Sequence, residues 1–220
     1  MTGHLGYTAA QVRAAERPLL DAGEPLMRQA AAALAAEVRG LGPRRVLVLV
    51  GAGDNGGDGL FTAAELAADG VVVDLLATAS RHHVDGAAAA SAAGAQWVDG
   101  DAAAVARLAA DADVVIDAIV GTGTGASPAL RGRAREVVLA IAPTLERAVR
   151  PLVVAVDIPS GISPDDRSVP DDAVLPADIT VTFGAVKAGL LREPGSRYAG
   201  RIVLVDLGLG PYLGDPVISG

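Results

Sequence analysis

Four stretches of this chain carry residue types that a stable core does not require. The first is Gly51-Ala52-Gly53-Asp54-Asn55-Gly56-Gly57-Asp58-Gly59, five glycines among two aspartates, an asparagine and an alanine. The second is Asp117 followed by Gly121, Gly123 and Gly125. The third is Asp157-Ile158-Pro159-Ser160-Gly161, and the fourth is Lys187 with Gly189. Glycines let a backbone crowd a ligand, and N–H groups opening a helix suit an anion. Side-chain oxygens of Asn, Asp and Ser suit a hard cation. A carboxylate at a strand end can deliver or remove a proton.

Gly51, Gly53 and Gly56 satisfy G-x-G-x-x-G, and Asp74 lies 18 residues beyond Gly56, about where a ribose-binding acid would sit. A Walker A loop is excluded, because no Gly-Lys-Ser/Thr closes the stretch. The dinucleotide fingerprint leaves Asn55 to Gly59 unexplained. Asp54 and Asp58 would repel phosphate unless a cation or backbone donors intervene, and Asn55 adds a neutral oxygen.

The elements that must position these residues follow from periodicity. Helices are expected from Thr8 to Arg17, with Thr8 and Gln11 spaced as a capping box, and from Pro25 to Arg39. Val46–Val50 reads as the first strand, Gly57–Ala68 as a helix and Val71–Leu76 as a strand. Asp85–Ala93 reads as a helix, Gln96–Val98 as a short strand and Asp101–Ala110 as a helix. Val114–Ala118 is a strand, Arg131–Val149 a helix, and Leu152–Val156, Ile179–Phe183 and Arg201–Val205 are strands. This alternation predicts a Rossmann-like, doubly wound, mostly parallel sheet with helices on both faces and two extra N-terminal helices. All four unusual stretches then fall at the carboxyl ends of strands, the edge where open α/β sheets bind ligands. No repeat, linker or boundary divides residues 1–220, which read as one domain.

Composition narrows the classes. The chain has 220 residues, is 51% hydrophobic and only 3% aromatic, so the core must be aliphatic, as parallel strands under Ala-rich helices require. A formal charge of −8 argues against sequence-independent nucleic-acid binding, which needs Lys and Arg against phosphate. The absence of cysteine excludes disulfides, thiolate catalysis and Cys-ligated zinc. No signal peptide or membrane-spanning apolar run is read, and a cytoplasmic protein is expected. His4, His82 and His83 lack ligand or triad spacing and are expected in solvated loops. Ser160 is not in a Gly-x-Ser-x-Gly elbow. Trp97 is expected in core or interface, and the carboxylates of Ser163–Asp172 are expected to solvate a loop.

Taken together, the four stretches resemble the NAD(P)H-hydrate epimerase family, also called the YjeF N-terminal domain family. Residues 50–59 resemble its Asn-Asn-Gly-Gly-Asp-Gly signature, with Asp54 in the first Asn position. Asp117–Gly123 resembles Asp-Ala-x-Phe-Gly-x-Gly, with Val120 for Phe. Val156–Gly161 resembles Val-Asp-Ile-Pro-Ser-Gly. Ala177–Leu190 resembles Ala-Asp-x-Thr-Val-Thr-Phe-Gly-x-Pro-Lys-x-Gly, with Val186 for Pro, and Leu26–Ala30 is similar to Leu-Met-Glu-x-Ala. The likeness covers roughly residues 10–210 in order and spacing.

The resemblance implies an isomerase for metabolite repair, interconverting the R and S epimers of NADHX and NADPHX at C6 of the hydrated nicotinamide ring. It implies an ADP- or ATP-dependent dehydratase as functional partner, fused to the epimerase in many bacteria. The chain ends at Gly220 without room for such a domain, so a stand-alone epimerase or an excised N-terminal half is expected. Ligand contacts are implied for Asp54, Asn55, Gly56, Gly57 and Asp58, and for Gly121, Thr122, Gly123, Thr124, Gly125, Ala126 and Ser127. A potassium ion is implied on Asn55, Asp117 and Ser160, with no redox cofactor consumed. C6 is a hemiaminal carbon, so its inversion needs a proton moved at oxygen, and Asp157 is the candidate acid–base. Lys187 could pair with a phosphate or tune Asp157. The N-terminal helices could support a homodimer. Two other classes compete: an NAD(P)-dependent dehydrogenase using the Gly51 fingerprint, and a non-catalytic nucleotide- or partner-binding protein on the same scaffold. Redox turnover with a small substrate would favour the first. The departures at Asp54 and Val120 keep the second open.

Overall fold

The computed structural model describes residues 4–123 and 127–219. The elements run β1 (Leu5–Tyr7), α1 (Ala9–Asp21), α2 (Leu26–Gly40), β2 (Arg45–Val50), α3 (Asp54–Ala68), β3 (Val72–Ala77), α4 (Val84–Ala92) and β4 (Gln96–Val98). They continue α5 (Ala102–Asp111), β5 (Val114–Ala118), α6 (Gly132–Leu145), β6 (Leu152–Val156), β7 (Ile179–Phe183), β8 (Val186–Lys187), β9 (Arg201–Val205) and β10 (Ile218–Ser219). Seven strands form a parallel sheet in the order β4-β3-β2-β5-β6-β7-β9. A three-stranded sheet, β10-β1-β8, stands beside it.

Strand β2 shows why the sheet is buried on both sides. Val46, Val48 and Val50 pack with Leu34, Leu60 and Leu66 of α2 and α3. Leu47 and Leu49 alternate to the other face, against Val105 of α5 and Val137 and Ile141 of α6. A strand that is apolar at successive positions, as Val46–Val50 is, reads as a central parallel strand, and this one is.

From β2 the chain moves outward to β3 and β4, then returns through α5 to β5, on the other side of β2. The connections after β2 and β5 therefore diverge and leave a crevice at the carboxyl edge of the sheet, a topological switch point. Backbones meet tightly there: a Cβ on Gly51 would stand 1.8 Å from the Ile119 carbonyl oxygen, so only glycine fits.

Several boundaries differ from the expected ones. Helix α3 begins at Asp54, not Gly57, so Asn55 to Gly59 are helical rather than part of the turn. Helix α1 continues through Pro18 to Asp21, beyond Arg17. Its capping box forms as spaced, Thr8 Oγ1 accepting from Gln11 N at 3.2 Å and Gln11 Oε1 from Thr8 N at 2.9 Å. Helix α6 ends at Leu145, short of Val149. Strands β1, β8 and β10 were not expected, and at two or three residues none carries a periodic signal. The carboxylates of Ser163–Asp172 are engaged rather than merely solvated. Asp165 accepts from Ala9 N, Asp166 accepts from Ser168 N, and Asp171 takes both Nε and Nη2 of Arg135. No helix among the described residues is long and apolar enough to cross a membrane.

Candidate active site

The crevice is a cavity of about 620 Å³ walled by the β2–α3 turn, the segment after β5, Asp157, Phe183 and one face of α1. A second lobe of about 570 Å³ adjoins it and shares Ala52, Ile119, Val120 and Gly123. Asp54, Asn55, Asp58, Gly121, Thr122, Gly123 and Asp157 line the first lobe, and Ser127 lines the second. Thr124, Gly125 and Ala126 lie outside the described residues.

Asp157 follows β6 in the left-handed region, at φ 68°, where a non-glycine residue is uncommon. Its Oδ1 accepts from Lys187 Nζ, from Thr182 Oγ1 at 3.2 Å and from Phe183 N at 3.3 Å. Its Oδ2 has no hydrogen bond to a described residue, and Asp157 lines the cavity. Lys187 is 1% exposed and also donates to the Phe183 carbonyl at 2.8 Å. It sits behind Asp157 and does not line the cavity, so in this structure it is placed against Asp157 and not against a phosphate. The short pairing of β8 with β1, Tyr7 opposite Lys187, fixes that position.

Asp117, the penultimate residue of β5, is fully buried, and no Lys or Arg bonds it. Its partners are Ser160 N at 2.8 Å, Ser160 Oγ at 2.6 Å and Ile119 N at 3.3 Å. Ser160 Oγ also accepts from Val120 N at 2.9 Å. Burial pushes the Asp117 carboxyl upward, and the Ser160 hydrogen bonds only partly oppose it. Asn55 abuts the same loop: a Cβ on Gly121 would meet Asn55 Oδ1 at 2.7 Å. Asn55 Nδ2 is the buried side-chain polar atom left without a partner among the described residues. The Asp117 carboxylate without a cationic partner, the Ser160 hydroxyl and Asn55 Oδ1 are oxygens of the kind a large monovalent cation takes, whereas the unpartnered Asn55 Nδ2 is a donor and no ligand.

Gly56 and Gly57 are not among the residues lining the cavity, and the side where each would carry a Cβ is taken by a neighbour. A Cβ on Gly56 would meet the Gly51 carbonyl oxygen at 2.2 Å, and one on Gly57 the Met27 sulfur at 2.9 Å. Their smallness serves the close approach of α3 to the β2 turn and to α2. Asp74 lies inside β3 opposite Leu47 and pairs with Arg45 Nη1 at 2.5 Å, away from the carboxyl edge. The ribose-binding role expected for it therefore has no geometric basis. His83 is also more than a loop residue, since its Nδ1 caps α4 at Gly86 N, 3.1 Å away, and its ring packs edge-on against Phe61. His82 stacks on Trp97.

The wall contributed by α1 was not foreseen. Arg13, Glu16, Arg17 and Leu20 face the cavity at helical spacing, and Arg13 Nη1 donates to the Thr122 carbonyl at 2.9 Å. That stripe is visible in the sequence, but the partner it faces is set by long-range pairing. Asp58, 8% exposed, lies opposite on α3. Burial, with Asp157, Asp54 and Glu16 near it, pushes its carboxyl well above the ordinary range. Glu16 is raised as well, by burial first.

Fold and site define a class: a Rossmann-like α/β protein with a buried, hydrogen-bonded carboxylate and an oxygen-rich pocket at its switch point. Comparison with known proteins makes this specific. The family described as YjeF-related protein N-terminus matches residues 23–189, and the chain belongs to that family. A protein named NAD(P)H-hydrate epimerase from Clavibacter michiganensis subsp. michiganensis is 55% identical over 97% of this chain and 94% of its own. One of the same name from Clavibacter sepedonicus is 56% identical over 96% and 94%. The bifunctional NAD(P)H-hydrate repair enzyme Nnr of Mycobacterium tuberculosis is 41% identical over 92% of this chain but only 41% of its own length. The solved yeast protein YNL200c superposes with a TM-score of 0.75, covering 97% of this chain and 95% of the yeast chain at 16% identity, which speaks to the fold alone.

Proposed function

We propose that this chain is an NAD(P)H-hydrate epimerase, an isomerase that interconverts the R and S epimers of NADHX and NADPHX. The observation that carries the reading is the placement of Asp157. One oxygen is held by three donors, and the residue lines the switch-point cavity of a chain that aligns nearly end to end with relatives of that name. Inversion at C6 needs a proton moved at oxygen, and a fixed carboxylate beside an open cavity supplies that. The α3 N-terminus has no side-chain cap, so its first N–H groups are available to the substrate's diphosphate. Asn55, Asp117 and Ser160 would hold a potassium ion. When bound, it supplies positive charge against Asp117 beside the Val120–Gly121 backbone. Asp157, oriented by Lys187 and Thr182, handles the proton, and the walls from α1 and Phe183 enclose the ring. An ADP- or ATP-dependent dehydratase specific for the S epimer is the functional partner, a pairing consistent with relatives named as bifunctional repair enzymes.

The test mixes R and S NADPHX with excess S-specific dehydratase and its nucleotide in potassium buffer. The protein should convert the slow R fraction into a fast phase of NADPH recovery. The spontaneous interconversion is measured without protein and subtracted. A slow phase that the protein leaves untouched would rule the epimerase reading out.

A further inference from the structure

Asp58 and Asp157 reach the same cavity from different elements, Asp58 from the second turn of α3 and Asp157 from the end of β6. Their environments differ sharply. Asp157 is held by a buried ammonium, a hydroxyl and a backbone N–H, as befits a carboxylate that accepts protons. Asp58 is more than nine-tenths buried yet has no hydrogen-bond donor among the described residues. The charged groups facing it are Asp54 on its own helix, Glu16, Arg13 and Arg17 on α1, Asp157, and Lys187 on β8. None of the cations bonds Asp58: Arg13 donates to the Thr122 carbonyl, Arg17 pairs with Asp21 and Lys187 is committed to Asp157.

We propose that Asp58 is the general acid of the epimerisation, delivering its proton to the C6 hydroxyl while Asp157 serves as base on the opposite face of the ring. This rests on the epimerase reading above. The C6–O bond breaks with its electron pair going to oxygen, which takes the Asp58 proton and leaves as water. The N1 lone pair forms the N1=C6 bond of a cyclic iminium. Water then adds to C6 from the Asp157 side, Asp157 takes its proton, and N1 recovers its lone pair. One water leaves and one returns. The two carboxyls exchange protonation states, so the opposite epimer is handled by the same pair in reverse, and proton exchange with solvent resets either form. Two carboxyls in unlike surroundings, Asp157 held by three donors and Asp58 by none among the described residues, are how one site runs acid and base chemistry together. The upward push on Asp58 has the required sign: its acid form persists above the ordinary carboxylate range, and its function is lost as pH rises through the raised value.

The experiment compares wild type, Asp58→Asn and Asp58→Glu in the coupled assay, reading kcat and KM for each epimer from mildly acidic to alkaline pH. Expected for Asp58→Asn is a kcat about 10²–10⁴-fold lower, a KM near that of wild type, and loss of the alkaline decline. Asp58→Glu should restore part of kcat, with the decline displaced. A kcat within a few-fold of wild type, a change confined to KM, or an intact alkaline decline in Asp58→Asn would each overturn the assignment. Should Asp58→Asn not fold, the wild-type profile decides, because a kcat with no alkaline decline leaves no role for an Asp58 proton. A wild-type protein without epimerase activity would sink the functional reading itself, and this inference with it. That outcome is distinct from an active wild type matched by its variant.

Discussion

At the scale of single residues, Asp157 and Lys187 form a buried pair whose disruption separates stability from chemistry. Asn tolerates the left-handed backbone that Asp157 occupies, so Asp157→Asn tests the charge and not the turn. It strands a Lys187 that is 1% exposed, and breaking one partner of such a pair costs about 3–5 kcal/mol. Asp157→Asn combined with Lys187→Met removes both charges and should recover most of that loss in urea unfolding. Epimerisation should stay about 10²–10⁴-fold down in both. If the double variant regained activity along with stability, Asp157 would be a structural residue. Asp157, Asn55, Asp117 and Ser160 were legible in the sequence because stability does not demand polar residues at strand ends. Gly56 and Gly57 were less legible for a different reason. A glycine motif states that a side chain is missing, not which neighbour occupies the space, and here the neighbours are Gly51 and Met27.

At the scale of elements, the cavity depends on two backbones crossing at β2 and β5 and on α1 standing over them. Gly51→Ala would set a Cβ 1.8 Å from the Ile119 carbonyl oxygen, which is backbone and cannot rotate away. Overpacking of this kind costs about 1–3 kcal/mol. It should also displace the Ile119–Gly123 segment, so urea midpoint and kcat should fall together. Thr8→Ala acts at the other wall by removing the α1 capping box, at about 1 kcal/mol. It should raise KM and speed amide exchange in α1 while leaving kcat nearly unchanged, because Thr8 touches no reacting group. An unchanged exchange rate in α1 would show that the helix is held by its tertiary ties instead, Ala9 N to Asp165 and Arg13 to Thr122. The helix and its cap could be read from Thr8 and Gln11. Its place over the cavity could not, since that follows from β1 pairing with β8 across 180 residues of chain.

At the scale of the whole molecule, an acidic chain of formal charge −8 buries one carboxylate, Asp117, with hydrogen bonds but no cationic partner. Such a group is destabilising unless something positive joins it, and composition alone could not reveal which of 26 acidic residues that would be. The proposed potassium site makes the consequence measurable without an activity assay. An ion bound only by the folded state adds RT ln(1 + [L]/Kd), about 1.4 kcal/mol at ten times Kd. For a chain of this size that is roughly 3–6 °C in Tm. Thermal unfolding in potassium chloride should therefore exceed that in choline chloride at equal ionic strength by this order. Asp117→Asn should erase the difference, while a surface change such as Asp111→Asn should leave it intact. Equal midpoints for the wild type in the two salts would remove potassium from the account and leave Asp117 as a carboxyl held by Ser160 and Ile119 alone. If the difference appears and Asp117→Asn retains it, the ion binds elsewhere. Loss of the difference in Asp117→Asn alone ties the ion to the floor of the switch-point cavity, where Ser160 and the Val120–Gly121 backbone would link its charge to the wall that holds the substrate.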